Sequence, residues 1–357
     1  MSTLRVTAEQ LTIHPHDNAD ALELAQVGLY RAVVAKGQYR TGDWALYIPE
    51  GSLLPEALIE ELGLTGKLAG SQKNRVKAVR LRGELSQGIV CRPQAVDNFD
   101  LAQAQAGGRN FAEELGVTKW VPEIPVHMAG EMVQAPDLIP WIEIEDIKRY
   151  PGIFEPGEPI TATEKVHGSA CLFSLVGGEP YVSSKGFGGK RLAIANPANL
   201  YWRAIEAYDV PAKAARIGEL LGVDRVGVFG EVFGQGVQDL HYGTSARGAL
   251  PGYAIFDVAA ASGNGEVRWL DPDELIDLLR KVELPEVPRL YTGPYDESAL
   301  MELATGRETV SGKATHLREG LVVRPARDRY SPITGGRAIA KFVSPVYLIR
   351  KGGTEYE

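Results

Sequence analysis

Three apolar runs in this chain each enclose a lone charge or charge pair: Lys165 in "TATEKVHGSA", Glu231 in "VFGEVFG" and Lys341 in "AIAKFVS". A fourth charge, Glu319, opens the run "EGLVVRP". Short apolar runs rich in β-branched and aromatic residues, bounded by glycine and proline, are strands. A charge buried in a strand is costly unless an opposite charge or a strong hydrogen-bond partner meets it. The chain must therefore fold so that charges from distant strands find partners. Two lysines and two carboxylates suit a phosphoryl or nucleotidyl site, with the acids holding Mg²⁺ or Mn²⁺ through oxygen and water and the lysines meeting phosphate.

A chain of 357 residues is long for one hydrophobic core, so two domains are expected. With 44% hydrophobic and 24% charged residues the composition is globular, not disordered. No apolar run approaches the ~18 residues of a membrane span, and the start "MSTLRVTAEQ" has no basic-then-apolar pattern. A soluble cytoplasmic protein without a membrane partner is the expectation. Cys91 and Cys171 sit alone in strand-like runs and read as reduced packing residues, and the six histidines have no metal-finger spacing.

The net charge of −8 argues against a nucleic-acid partner until its distribution is read. Between Leu62 and Gly83 lie six basic residues, among them Lys73, Arg75 and Lys77, and no acids. From Ser311 to Lys351 there are nine Lys or Arg against Glu319 and Asp328. Phosphate binding needs a local positive surface, not a positive total.

The first part of the chain reads as short strands ("LELAQVGLYRAVVAK", "WALYIPEG", "VKAVRL", "QGIVCRP") with a short helix at "PEALIEELG", which suggests a small closed barrel of the OB type. Residues 1–125 are assigned to it, including a connector with a helical piece at "NFAEELG", followed by a linker at 126–137 inside the stretch "VPEIPVHMAGEMVQAPDLIP", which holds four prolines and little periodicity. Residues 138–357 alternate strands and helices and read as α+β with mixed or antiparallel sheets. "DPDELIDLLRKV" is a helix with Asp271 as N-cap and Pro272 in its first turn. Pro211 divides "LYWRAIEAYDVPAKAARIGELLG" into two helical segments.

Strand alternation puts Lys165 and His167 on one face and Glu164 and Val166 on the other, and Gly168 permits close approach. A lysine there is either a solvated strand end or a nucleophile whose amine neighbouring cations or a metal would help deprotonate. "SSKGFGGKR" sets Lys185, Lys190 and Arg191 in a glycine-rich turn suited to phosphate. Phe256 in "YAIFDV" either stacks on a base or fills core.

Taken in order, "EKVHG", "SSKGF", "FGEVFG", "YAIFDV", "EGLVVRP" and "AIAKF" resemble motifs I, Ia, III, IIIa, IV and V of the covalent nucleotidyltransferase superfamily, which comprises ATP-dependent RNA and DNA ligases and mRNA capping enzymes. Histidine two residues after the lysine is similar to the phage-type nick-sealing RNA ligases. An N-terminal OB-like domain before an antiparallel-sheet nucleotidyltransferase domain, with a short tail after motif V, resembles the Deinococcus-type RNA ligases. "HPHDNADALELAQVG…LSQGIVC" also resembles tRNA-binding OB domains.

The resemblance implies an ATP- and Mg²⁺- or Mn²⁺-dependent RNA ligase. Lys165 would take AMP from ATP, pass it to a 5′-phosphate and so permit sealing by a 3′-OH in nicked duplex RNA or an RNA–DNA hybrid. It implies Lys165, Glu319 and Lys341 as catalytic residues. Glu164, Val166, His167, Lys185, Glu231 and Phe256 would bind the nucleotide, with Glu164 on the adenine amino group and Phe256 stacked on its ring. Glu319 and Glu231 would hold the metal.

Two positions depart from the pattern: Ile339 stands where motif V often has a lysine, with Arg337 as a substitute, and Lys185 stands where the phage-type enzymes tend to have arginine. Lys73, Arg75 and Lys77 would hold either nucleic acid or the ATP phosphates. A DNA ligase, a capping-type enzyme and an inactive nucleic-acid-binding OB protein are the other readings.

Overall fold

In the computed structural model, which describes residues 4–121, 132–135, 137–139, 141, 144–188, 190–243, 250–263 and 265–350, the chain divides into two units, Ser2–Glu123 and Ile124–Thr354. The first is built from β1 (Thr7–Gln10), β2 (Thr12–Pro15), β3 (Leu22–Val27), β4 (Tyr30–Ala35), β5 (Trp44–Ile48), β6 (Ser52–Leu53), α1 (Glu56–Glu61), β7 (Val79–Leu81), β8 (Glu84–Ser86), β9 (Ile89–Cys91), α2 (Leu101–Ala106) and β10 (Thr118–Lys119). The strands form antiparallel ladders in the orders β1-β5-β9, β2-β3-β4, β7-β8 and β6-β10.

Alternation is clean where one face meets solvent: β4 buries Tyr30, Ala32 and Val34 and exposes Arg31 and Ala35. The unbroken apolar run of β5 has a different cause. Ala45 and Tyr47 enter one core with Ala25 and Val34, while Leu46 and Ile48 enter another with Leu58 of α1, Leu101 of α2 and Phe111. A strand covered on both faces has no polar side.

The helix expected at "NFAEELG" is instead a run of turns, and α2 lies upstream, where the Asp100 side chain accepts from the Gln103 amide. Six residues before Gly116 are too few to offset helix nucleation. Burial of Phe111 and Leu115 fixes them as turns.

The second unit continues with β11 (Met132–Gln134), β12 (Glu145–Asp146), β13 (Pro159–Lys165), β14 (Ser169–Val176), β15 (Glu179–Ser184), α3 (Lys185–Gly188), β16 (Leu192–Ile194), α4 (Leu200–Ala207), α5 (Val210–Leu221), β17 (Arg225–Phe233), β18 (Gly252–Ala261), β19 (Val267–Trp269), α6 (Pro272–Lys281), β20 (Arg289–Pro294), α7 (Glu297–Ala304), β21 (Gly320–Pro325), β22 (Tyr330–Ser331), β23 (Gly336–Arg337), β24 (Ala340–Val343) and α8 (Pro345–Leu348). Two five-stranded sheets dominate, β12-β24-β21-β13-β20 and β15-β14-β17-β18-β19, antiparallel except for the β12–β24 pair. This is an α+β, mostly antiparallel architecture, as the sequence led one to expect. β11 pairs with β16, so part of the stretch read as a linker is a strand of this unit; residues 126–131 and 136 lie outside the described residues.

The stretch is two helices, α4 and α5, as expected, with Pro211 in the first turn of α5 and Asp209 at φ 52 making the break between them. Asp271 occupies the N-cap position of α6 without capping it: its Oδ1 accepts from the Asp328 amide at 2.6 Å. Cys91 and Cys171 are free, buried and one to each unit, and burial pushes the Cys91 thiol up to about 12 and the Cys171 thiol up as well. Among the described residues no helix is long and apolar enough to cross a membrane.

Candidate active site

β13 ends one sheet at Lys165 and β14 begins the other at Ser169, so Val166–Gly168 carries the chain between sheets. Gly168 is essential to that crossing. A Cβ there would fall on the Val232 carbonyl oxygen and within 2.9 Å of Glu231 Cγ. The crossing brings Lys165 of the first sheet and Glu231 of the second into one electrostatic cluster.

Lys165 Nζ donates to Glu319 Oε1 at 2.6 Å, with a quarter of the lysine side chain exposed (26%) and Glu319 nearly enclosed. The register explains the pair, since Lys165 lies opposite Gly320, the residue after Glu319. Gly320 has no room for a side chain against the Phe342 carbonyl, which seats β21 closely on β24. Burial works to raise the Glu319 carboxyl, but Lys165 and His167 outweigh it and hold it at about 2. Glu231 shows the opposite balance: burial pushes it up to about 8, against the pull of Lys165, and the Glu319 charge adds to the rise. The two acids thus carry different protons in the free protein.

His167 is buried. Its Nε2 meets Asp239 Oδ1 at 2.6 Å, its Nδ1 meets the Tyr347 hydroxyl at 2.7 Å, and its amide donates to the Tyr242 hydroxyl at 2.7 Å. Glu164, also buried, accepts from the Thr309 amide at 2.8 Å and hydroxyl at 2.6 Å, both on Oε2, while Oε1 has no hydrogen-bond partner. Burial raises the Glu164 carboxyl against those bonds and Arg318. Val166 and Phe256 join one apolar cluster with Tyr242 and Ala254, and Trp141 sits edge-on to Phe256 at 6.1 Å.

Lys341 lies on the same sheet face as Lys165. Thr163, Val322 and Lys341 form one cross-strand row, and Lys165, Gly320 and Val343 the next. It acts electrostatically on Asp146, its cross-strand partner on β12. Lys185 opens the single turn α3 and acts electrostatically on Glu231. Arg337 does not stand in for a motif V lysine: its guanidinium binds Asp257 Oδ2 and Asp328 Oδ1 and lies over the Trp269 ring at 4.2 Å.

A model of the RNA ligase family matches residues 158–343, a span that contains all six motif runs. The chain belongs to the RNA ligase family. An OB-fold domain model matches residues 5–93. Among solved structures, the fold is similar to that of the Naegleria gruberi RNA ligase with PPi, at a TM-score of 0.76 and 22% identity over 97% of this chain and 98% of that one. Variants of the same Naegleria enzyme with ATP and Mn and with AMP and Mn match at a TM-score of 0.76 and 22% identity, over 96% and 97% of this chain and 98% of each of theirs. A search of curated proteins finds no match.

In this RNA ligase family member the donor set fits a divalent cation. Glu319 Oε2 is buried without a hydrogen-bond partner, and a carboxylate oxygen is the donor Mg²⁺ and Mn²⁺ take. Among the described residues no group of three or more His, Cys, Asp or Glu could hold an ion, so a cation held by Glu319 would need further oxygen donors from water or phosphate.

The ligase family's motif runs missed Asp239, Thr309, Arg318, Tyr242, Tyr347 and Arg350, which hold the motif residues in place. In the OB-fold unit Lys73 is exposed and Lys77 half-buried, but Arg75 is only 3% exposed and its guanidinium packs on Trp120 at 4.0 Å. Arg75 therefore packs within its own unit and is not part of an open basic surface.

Proposed function

We propose that this protein is an ATP-dependent RNA ligase that charges itself with AMP on Lys165 and seals 3′-OH/5′-phosphate nicks in duplex RNA or RNA-containing hybrids. The observation that carries the reading is the Lys165–Glu319 pair at 2.6 Å, placed at a strand end with an open carboxylate oxygen beside it. In the free protein the Lys165 amine is tied to Glu319 Oε1. For reaction the lysine must leave that pair, lose a proton and attack the α-phosphorus of ATP in line with departing pyrophosphate. The P–N bond so formed is broken when a 5′-phosphate oxygen takes the AMP, and a 3′-OH then attacks that phosphate and expels AMP.

Glu319 and Glu231 would hold Mg²⁺ or Mn²⁺, which when bound offsets charge on the phosphate oxygens. Glu164, through Oε1, has an acceptor to offer the adenine amino group. Val166 and Phe256 offer the apolar surface for its ring, and His167, Lys185 and Lys341 would serve the phosphates. ATP, AMP and Mn in the Naegleria complexes support the choice of nucleotide and metal. Lys73 and Lys77, with their exposed neighbours Arg80 and Arg82, would hold the RNA backbone.

Intact-protein mass after incubation with ATP and Mg²⁺ or Mn²⁺ tests the first step. One added AMP on the wild type and none on Lys165→Ala is expected. Wild-type protein verified as AMP-free that gains no adduct with either metal overturns the reading.

A further inference from the structure

Residues 307–317 form a closed loop wrapped around one carboxylate. Arg307 and Leu317 make an isolated antiparallel bridge, and the Glu308 amide donates to the His316 carbonyl at 3.1 Å. The Glu308 side chain is 1% exposed and turns into the loop, where four donors meet it. Its Oε1 accepts from the Thr315 amide at 2.8 Å, the Thr315 hydroxyl at 2.9 Å and the Ser311 hydroxyl, and its Oε2 accepts from the Ser311 amide at 2.8 Å. A buried carboxylate met this fully fixes the backbone around it.

The next two residues of the loop reach the first motif run. Thr309 sets both its amide, at 2.8 Å, and its hydroxyl, at 2.6 Å, on Glu164 Oε2. Val310 packs into the apolar cluster that holds Val166 and Phe256. Arg318, just past the loop, comes to the same carboxylate oxygen. Its Nη1 and Nη2 donate to the Leu303 and Arg307 carbonyls at 2.7 and 2.9 Å, and its Nε stands 3.6 Å from Glu164 Oε2. All three groups gather on Oε2, while Oε1 is buried without a hydrogen-bond partner.

We propose that Thr309, set by the loop around Glu308, is a positioning residue that selects the base by locking the Glu164 carboxylate with Oε1 as a fixed acceptor. Adenine carries an amino donor at C6, where guanine carries an oxygen acceptor. A carboxylate free to turn serves either base, since it reaches the adenine amino group or swings to the guanine N1–H. A locked one meets the guanine oxygen as acceptor against acceptor, and that unpaired contact rejects the wrong base. Two donors from one residue on one oxygen are what stop the turn. The inference deepens the ligase reading and rests on it for the place of the base.

Nucleotide binding to Lys165→Ala with Mg²⁺ tests this without turnover. ATP is compared with GTP and with purine riboside 5′-triphosphate, which lacks the 6-amino group. ATP is expected to bind about 5- to 10-fold more tightly than the purine riboside triphosphate, the size of one hydrogen bond. Adding Thr309→Val keeps the branched shape and the amide but removes the hydroxyl. It is expected to bring that ratio below about 2-fold through loss of ATP affinity alone, and to raise GTP binding relative to ATP. Thr309→Ser is expected to keep the original ratio. A loop that only supports the fold would weaken all three nucleotides equally, and that result overturns the proposal. So does a ratio that Thr309→Val leaves unchanged. AMP adduct formation is read separately on protein with Lys165 intact. No adduct in a protein whose ATP preference responds to Thr309→Val sinks the ligase reading alone, and an adduct with an unresponsive preference sinks this inference alone.

Discussion

Two buried charge clusters in the ligase unit use the same residue types to opposite ends. In one, Asp257 accepts Arg324 on Oδ1 at 3.0 Å and Arg337 on Oδ2 at 2.6 Å, and Arg337 Nε donates to Asp328 at 2.7 Å. Two acids meet two guanidiniums, and both Asp257 oxygens are filled. That set ties β18 of one sheet to β21 of the other. In the other cluster Lys165 faces Glu319, with Glu231 and Glu164 close by, and Glu319 Oε2 and Glu164 Oε1 are left without hydrogen bonds. The difference lies in the carboxylate oxygens, since both of Asp257 are filled whereas Glu319 Oε2 and Glu164 Oε1 are not. Carboxylates whose oxygens are all met hold sheets together, and open ones are shaped for something that arrives from outside.

The sharpest contrast is expected from the acids. Glu319→Ala should lower the single-turnover rate of Lys165 adenylation by ~10³-fold, the scale of removing a charge-stabilising group from a reacting centre, with little change in Tm. Asp257→Ala should do the reverse and cost about 3–5 kcal/mol in denaturant unfolding, because it strands two buried guanidiniums. If folded Asp257→Ala lost rate as Glu319→Ala does, the division between the clusters would fail.

Proton linkage gives a smaller test. Burial pushes the Glu231 carboxyl up to about 8 in the folded protein, against 4.5 for an ordinary glutamate. The folded state therefore binds the extra proton across that window, and metal-free protein should lose stability as pH rises from about 4.5 to about 8. Glu231→Gln should flatten that slope and leave the variant more stable at the alkaline end, by on the order of 2 kcal/mol. An unchanged slope would remove Glu231 from the cluster's balance. The smallest effect belongs to the OB-fold unit. Lys73→Ala with Lys77→Ala should leave self-adenylation intact and reduce the salt slope of RNA binding by roughly one to two. A drop in adenylation would assign those lysines to the ATP phosphates.

The strands and their lone charges were legible because a buried charge breaks a local pattern of period two, and such a break shows in a single run. The partners were not legible. Asp239 and Tyr347 meet His167 across 72 and 180 positions, with no repeat or spacing to link them. Charge counting failed for a related reason. The basic block from Ser311 to Lys351 looked like phosphate surface, yet Arg318, Arg324, Arg329, Arg337 and Arg350 each bind acceptors within the chain. Arg75 was misread the same way, since its charge is visible in the sequence and its stacking on Trp120 is not. The expected "NFAEELG" helix shows the limit for short segments, where burial of Phe111 and Leu115 overrides local propensity.

The two cysteines carry a practical consequence of the division into units. Cys91 lies in β9 and Cys171 in β14, both are buried, and the chain has no others. Alkylating reagents attack the ionised thiol, which neither environment favours, so modification has to wait for its surroundings to open. Each unit thus contains one built-in clock. Peptide-resolved alkylation over time would give two opening rates from one sample, and their ratio would show whether the OB-fold barrel and the ligase sheets loosen together or separately.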